Sequence, residues 1–313
     1  MTLLAFILGG CVLYLLVTLG LTYLVLQLPR NPVEDKPDWG RITETTIPTE
    51  EGGLLEVWRV APEGQSRGIV VLAHGWGRNR DRMVPRGRIF GRLGFTTIMH
   101  SARDHGKSSP HHFMCAPRFA EDIEAVLRWV KEPVLLYGHS IGAAAAVIAA
   151  SRNPGKVKLL FLEGCYARTR EALLCLYRSY NWVFGVFFAP MVVLWMEIFW
   201  KWGLEKVSPI RLAAAIDCPV LIIHGEKDQN FPLHHAWRLR DSFPSGKAET
   251  FVATGADHSS SSLDSDFPRT LEGFINRHLP SKISPSPLEF PPPYPLPQGE
   301  TSFRTASDRT FDP

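Results

Sequence analysis

The sequence of 313 residues lacks any concentration of charge. Lys and Arg number 34 against 31 Asp and Glu, a formal excess of three positive charges, and the basic residues are scattered along the chain. Nucleic-acid binders gather positive charge into a patch or stripe, so no nucleic-acid partner is expected. Cysteine is scarce: Cys11, Cys115, Cys165, Cys175 and Cys218 are an odd number, widely separated, with no CxxC pair. That argues against a disulfide framework and against zinc spacing. Buried free thiols in a reducing compartment are the expectation, and neither a metal nor a cofactor is expected. No internal repeat is visible.

The start of the chain lacks charge altogether. Residues 2–28 carry no charged side chain and are dominated by Leu, Val, Ile and Phe, long enough to cross a hydrocarbon core of about 30 Å as a helix. A cleaved secretory signal needs a basic start and a shorter apolar run. Leu8-Gly9-Gly10-Cys11 superficially matches a lipoprotein processing site, but the cysteine comes early and the apolar run continues past it. The expectation is one N-terminal transmembrane helix. Arg30, Lys36 and Arg41 follow it, which by the positive-inside tendency puts the remaining domain in the cytoplasm.

Residues 29–40, with three prolines and mixed charges, read as a linker, and 280–313 as a Pro-rich tail unable to hold a helix or a central strand. Between them, at 41–279, short aliphatic runs alternate with helical patterns. Strands are expected at 54–60, 68–73, 95–100, 134–137, 157–162, 220–224 and 249–253, and helices at 118–131, 141–152, 233–243 and 267–278. That alternation predicts an α/β domain with a mostly parallel central sheet and helices on both faces. Residues 168–206 break it, being long, apolar and aromatic, and read as a helical cap or lid inserted over the site.

Gly138-His139-Ser140-Ile141-Gly142 lies between an apolar strand and a helix of small residues. This is the setting of a nucleophile elbow, a strained turn that holds a serine hydroxyl out at the sheet edge. A serine hydroxyl is a poor nucleophile near neutral pH; it needs an imidazole base, and the base needs a carboxylate to fix its tautomer. Asp228, after the strand at 220–224, and His258, after the strand at 249–253, both lie where open α/β sheets place their sites. Asp257, Glu226 and Asp217 are alternative carboxylates. His100, His105, His111 and His112 lack the accompanying carboxylate spacing of a zinc or two-metal hydrolase.

These motifs resemble the α/β-hydrolase superfamily over about residues 54–278. His74-Gly75-Trp76-Gly77 is similar to the family's oxyanion-hole loop, and Ser140, Asp228 and His258 follow its order of serine, acid and histidine. Arg103-Asp104-His105-Gly106-Lys107-Ser108 is similar to a loop that is structural in many members. The resemblance implies an oxyanion hole from the backbone N–H groups of Trp76 and Ile141. His74 and His139 would then serve as scaffold.

The insertion carries Trp182, Phe184, Phe187, Phe188, Trp195, Phe199, Trp200 and Trp202. A second transmembrane crossing there would place Ser140 and His258 on opposite sides of a membrane, so a lid over an apolar acyl pocket is expected instead. The expected protein is a membrane-anchored serine hydrolase acting on an ester or thioester of a small-molecule acyl substrate. A peptidase or acyltransferase, or a non-catalytic binding module, is the alternative on the same fold; protein partners are left open.

Overall fold

A computed structural model describes residues 2–27, 30–201 and 203–279. The expected tail at 280–313 therefore lies outside the described residues. The chain opens with α1 (Thr2–Leu26), then an antiparallel pair, β1 (Arg41–Pro48) and β2 (Leu54–Ala61). There follow β3 (Ile69–Ala73), α2 (Val84–Arg92), β4 (Thr96–His100), α3 (Ala116–Val130), β5 (Val134–His139), α4 (Ile141–Arg152) and β6 (Val157–Glu163). Three helices come next, α5 (Thr169–Tyr180), α6 (Trp182–Phe187) and α7 (Ala189–Phe199), with the short α8 (Pro209–Leu212) after them. The chain returns to the sheet through β7 (Val220–Gly225), α9 (His234–Arg240), β8 (Ala248–Ala253) and α10 (Phe267–His278).

All eight strands form one sheet in the order β1-β2-β4-β3-β5-β6-β7-β8. From β4 to β8 every pairing is parallel, while β1 and β2 add an antiparallel edge. The central strands are buried on both faces, β5 and β7 along their whole length. That burial explains their continuous apolar runs, because helices cover both sides of a parallel sheet. One core cluster joins the sheet to α3 and α4; a second, on the opposite face, joins it to α2 and α10. In α4 the run Ala143–Ala146 is fully buried, and its small side chains let this helix lie close against the strands.

The sequence reading misses β1 and α2. β1 is an edge strand with mostly exposed residues, so it lacks the apolar alternation that marks a half-buried strand. α2 is arginine-rich and reads as solvated, yet Arg86 is 2 % exposed.

Residues 30–40 have no regular secondary structure, but they are held to the domain. Asn31 Nδ2 donates to the Gly77 carbonyl at 2.5 Å, Asn79 Nδ2 donates to the Asn31 and Pro32 carbonyls, and Arg30 donates to the carbonyls of Gly106 and Ser108. Trp39 lies against Gly87 and Gly91 of α2. Helix α1 packs against α7, where Leu26, Val192, Met196 and Leu204 form a third apolar cluster.

Candidate active site

Ser140 stands between β5 and α4 with φ 57° and ψ −124°, a backbone conformation that costs a non-glycine residue about 1–3 kcal/mol. Its amide donates to the Glu163 carbonyl of the neighbouring strand at 2.8 Å. The glycines of the motif are required by space. A Cβ on Gly138 would overlap the backbone of Gly142, and one on Gly142 would overlap the carbonyl oxygens of Ala73 and His74.

Three side chains from distant stretches meet at the C-terminal rim of the sheet. The Ser140 hydroxyl donates to His258 Nε2 at 2.9 Å, and His258 Nδ1 donates to Asp228 Oδ2 at 2.7 Å. Asp228 is 4 % exposed. Burial pushes its carboxyl up, but His258, His224 and the Phe231 amide outweigh that effect and hold it below the usual value; the amides of Asn230 and Phe231 both donate to Oδ1 at 2.9 Å. Phe231 sets its ring edge-on to His258 at 4.9 Å.

The alternative carboxylates are engaged elsewhere. Asp257 Oδ1 accepts from the amides of Ser259 and Ser260 and from the Ser260 hydroxyl, closing its own turn. Glu226 accepts from the Gly255 amide. Asp217 precedes β7, at the opposite end of that strand from Asp228.

The loop after β3 backs directly onto the serine: a Cβ on Gly75 would sit 3.2 Å from that of Ser140. Two histidines fix this loop. His74 Nε2 accepts from the Ala102 amide at 2.9 Å, so Nδ1 carries the proton and donates to the Gly75 carbonyl at 2.7 Å. His105 Nε2 accepts from the Gly77 amide at 3.2 Å. Burial lowers the pKa of both rings, which keeps them neutral and able to accept. Trp76 lies between these anchors, while Ile141 opens α4, so its amide is among those a helix start leaves without an intrahelical acceptor.

A buried network beneath the histidine loop escapes the sequence reading. Arg86 of α2 donates to both carboxylate oxygens of Glu163, at 3.0 and 2.8 Å, and the Tyr137 hydroxyl donates to the same carboxylate at 2.8 Å. Burial would raise the Glu163 pKa, but Arg86 brings it down to about 2. Arg86 and Arg82 both donate to the Ser259 carbonyl, next to His258. His139, pushed down to about 3 by burial, donates from Nε2 to the His258 carbonyl at 3.0 Å. The local sign is an acidic residue directly after the apolar run Leu159 to Leu162.

Among the described residues one trio, Glu171, His234 and His235, brings potential metal-binding atoms within 4.8 Å of one another. Its hydrogen bonding opposes a metal. Arg238 Nη1 reaches both Glu171 oxygens at 2.9 Å, and His235 Nδ1 accepts from the Ala167 amide, leaving the ring proton on Nε2 and no lone pair there.

Comparison with known proteins finds relatives in sequence and in fold. A family model described as serine aminopeptidase, S33, matches residues 64–206. A monoacylglycerol lipase of Mycolicibacterium smegmatis is 24% identical over 241 residues, covering 66% of this chain and 85% of the lipase. An uncharacterized membrane protein of Saccharomyces cerevisiae is 22% identical over 260 residues, covering 80% of this chain and 85% of its own. Among solved structures, an esterase of Pyrococcus furiosus superposes with a TM-score of 0.64 at 17% identity, covering 80% of this chain and 99% of the esterase. The fold is the α/β-hydrolase fold, and the family model, the relatives and the solved structures together support the α/β-hydrolase superfamily. Within it, the chain is a serine hydrolase.

Proposed function

We propose that the chain is a membrane-anchored hydrolase that cleaves an ester or thioester of a substantially apolar acyl group through Ser140, His258 and Asp228. The observation that carries this reading is the unbroken line from hydroxyl to imidazole to carboxylate, at 2.9 and 2.7 Å. Ser140 Oγ attacks the acyl carbonyl while His258 Nε2 takes its proton, and Asp228 stabilises the imidazolium that forms. The developing oxyanion is received by the N–H groups of Trp76 and Ile141, each worth about 3 kcal/mol of barrier in comparable sites. His258 then protonates the leaving alcohol or thiol. Water, deprotonated by the same imidazole, releases the acid from the acyl-enzyme.

The acyl preference rests on the surroundings. Tyr166 and Phe231, both buried and with ring centroids 5.2 Å apart, lie on the His258 side, and Trp76 stacks on Phe119 at 6.1 Å on the other. Helices α5 to α7 form the cap of the domain at 41–279, and α1 supplies the anchor, being the one described helix long and apolar enough to cross a membrane. The basic flank after α1 places the domain on the cytoplasmic side.

The test is chemical. A fluorophosphonate probe is expected to label the full-length protein at Ser140, Ser140→Ala to lose that label, and nitrophenyl esters to be cleaved faster as the acyl chain lengthens. Hydrolysis that persists in Ser140→Ala would refute the assignment. The aminopeptidase description of the matching family model favours one second reading, an amide substrate. Faster turnover of aminoacyl nitroanilides than of acyl esters establishes it instead.

A further inference from the structure

Helix α1 does more in this structure than precede the domain. Thr18, Thr22 and Leu26 are buried against the cap, at a spacing of four residues that makes one helical stripe. The indole N–H of Trp195 in α7 donates to Thr18 Oγ1 at 3.0 Å, and the Tyr14 hydroxyl donates to the Phe187 carbonyl at the end of α6 at 2.6 Å. Polar contacts of this kind hold helices together where lipid offers no competing partner. The twelve steps from Tyr14 to Leu26 rise about 18 Å along the helix. With Leu26 at the surface of a membrane, the turn between α6 and α7 therefore reaches about the middle of a 30 Å hydrocarbon core. The outward side chains suit that depth: Trp182, Val183, Phe187, Leu194 and Ile198 are all exposed and apolar.

Beside the buried stripe runs a second one that the cap does not fill. Leu16, Gly20 and Tyr23 of α1 face Phe199, Trp200 and Phe113 across a cavity of about 580 Å³. Tyr23 and Phe113 meet edge to face at 5.9 Å. Gly20 opens onto space, since a Cβ there would have no heavy atom within 4 Å. Toward the domain, the Phe231 ring lies between Tyr166 and His258, its centroid 5.2 Å from the one and 4.9 Å from the other. The side chains flanking the base on this side are therefore aromatic.

We infer that the groove between α1 and α7 holds an acyl chain of a lipid from the leaflet next to the hydrolase domain. The inference rests on the reading of α1 as a membrane span and deepens the proposed function by naming where an apolar substrate enters. The occupant is argued from position: the wall of the groove is the same helix whose remaining surface the bilayer covers. Continuity of the two surfaces puts lipid chains at the mouth of the groove, and among the described residues its lining offers them no polar side-chain group beyond the Tyr23 hydroxyl and the Trp200 indole N–H.

The full-length protein in dioleoylphosphatidylcholine vesicles, doped with a phosphatidylcholine carrying a diazirine midway along one acyl chain, provides the test. After irradiation, adducts are expected on Tyr23, Phe113 and Phe199. Gly20→Trp fills the groove and is expected to abolish them. Gly9→Trp is the control: it lies eleven residues earlier (20 − 9), about three turns and so on the same face, but beyond Tyr14, where the cap ends, and its adducts on Phe113 and Phe199 are expected to stay. Wild-type adducts spread over Leu4, Phe6 and Leu13 with Phe113 and Phe199 unmarked overturn the inference, as do adducts on those two residues that survive in Gly20→Trp. The wild-type map alone decides if a variant fails to insert. Fluorophosphonate labelling of the same samples reports separately on Ser140: label present with an unmarked groove removes the groove, whereas label absent with a marked groove removes the hydrolase reading.

Discussion

The rim of the sheet and the cap against α1 are assembled by opposite rules. At the rim the interior carries charge: Arg86 and Glu163, 2 % and 0 % exposed, pair through two hydrogen bonds and brace the loop that bears His258. In the cap the exterior is apolar, with Trp182 67% and Phe187 58% exposed. A domain surrounded by water buries apolar groups and tolerates inner charge only when it is paired. The cap breaks the first half of that rule on its outer surface. The difference is what the proposed anchor calls for: a chain folded for two solvents, water around the sheet and hydrocarbon around the outer face of the cap.

The most severe way to break the rim is to remove its nucleophile. Ser140→Ala is expected to lower kcat by at least about 10⁴-fold, since triad members act as a unit, while urea unfolding of the variant matches wild type. A loss much smaller than that in steady-state ester hydrolysis would place the chemistry on another group. Next in size is the buried pair. Glu163→Gln leaves Arg86 buried opposite a neutral amide and is expected to cost about 3–5 kcal/mol of stability, measured by denaturant titration.

The same variant sharpens the comparison through pH. Glu163 has a folded-state pKa of about 2 against an ordinary 4.5. Its contribution to stability is complete above about pH 4.5 and is lost as pH falls toward 2. Acid unfolding of wild type should therefore steepen across that window, and Glu163→Gln should flatten it; Asp228 and the other carboxyls held low, Glu44, Glu51, Glu171 and Asp257, account for what remains. Parallel stability curves for the two proteins from pH 6 to pH 2 count against the pair. A smaller effect is expected from His139→Phe, which keeps the ring but removes the donor to the His258 carbonyl. About 1 kcal/mol, a few-fold in kcat with KM unchanged, is the expected outcome, because His139 positions the base and does not meet the substrate.

How much of this is legible from residues alone divides along the same line. The strand-turn-helix at Ser140 and the loops holding Asp228 and His258 are local patterns, and each lies where the strand before it ends. The bracing of those loops is not local. Arg86 and Glu163 are 77 residues apart, and the arginines of α2 have the composition of a solvated face. β1 is hidden for a related reason: as an outer strand it has one neighbour and little to bury. The hydrogen bonds of α1 to the cap span 173 to 177 residues and use the side chains of one tyrosine, one threonine and one tryptophan. Nothing in an apolar run distinguishes a helix that only tethers from one that also forms a wall.

The gentlest perturbation addresses that last distinction. Thr18→Val keeps the shape and apolarity of α1 but removes the acceptor of the Trp195 indole, and Trp195→Phe removes the donor. A hydrogen bond between membrane helices is worth about 0.6 kcal/mol on average, so each variant is expected to lose a little stability in vesicles. The double variant is expected to lose less than their sum, with a coupling near that value. If α1 were only a tether, the two changes would add without coupling, and hydrolysis of a water-soluble short-chain ester would be as indifferent to them as hydrolysis of a bilayer-borne long-chain ester. With α1 as a wall of the entry groove, loosening it should raise KM for the bilayer-borne ester alone, because the soluble ester reaches Ser140 without passing between α1 and α7.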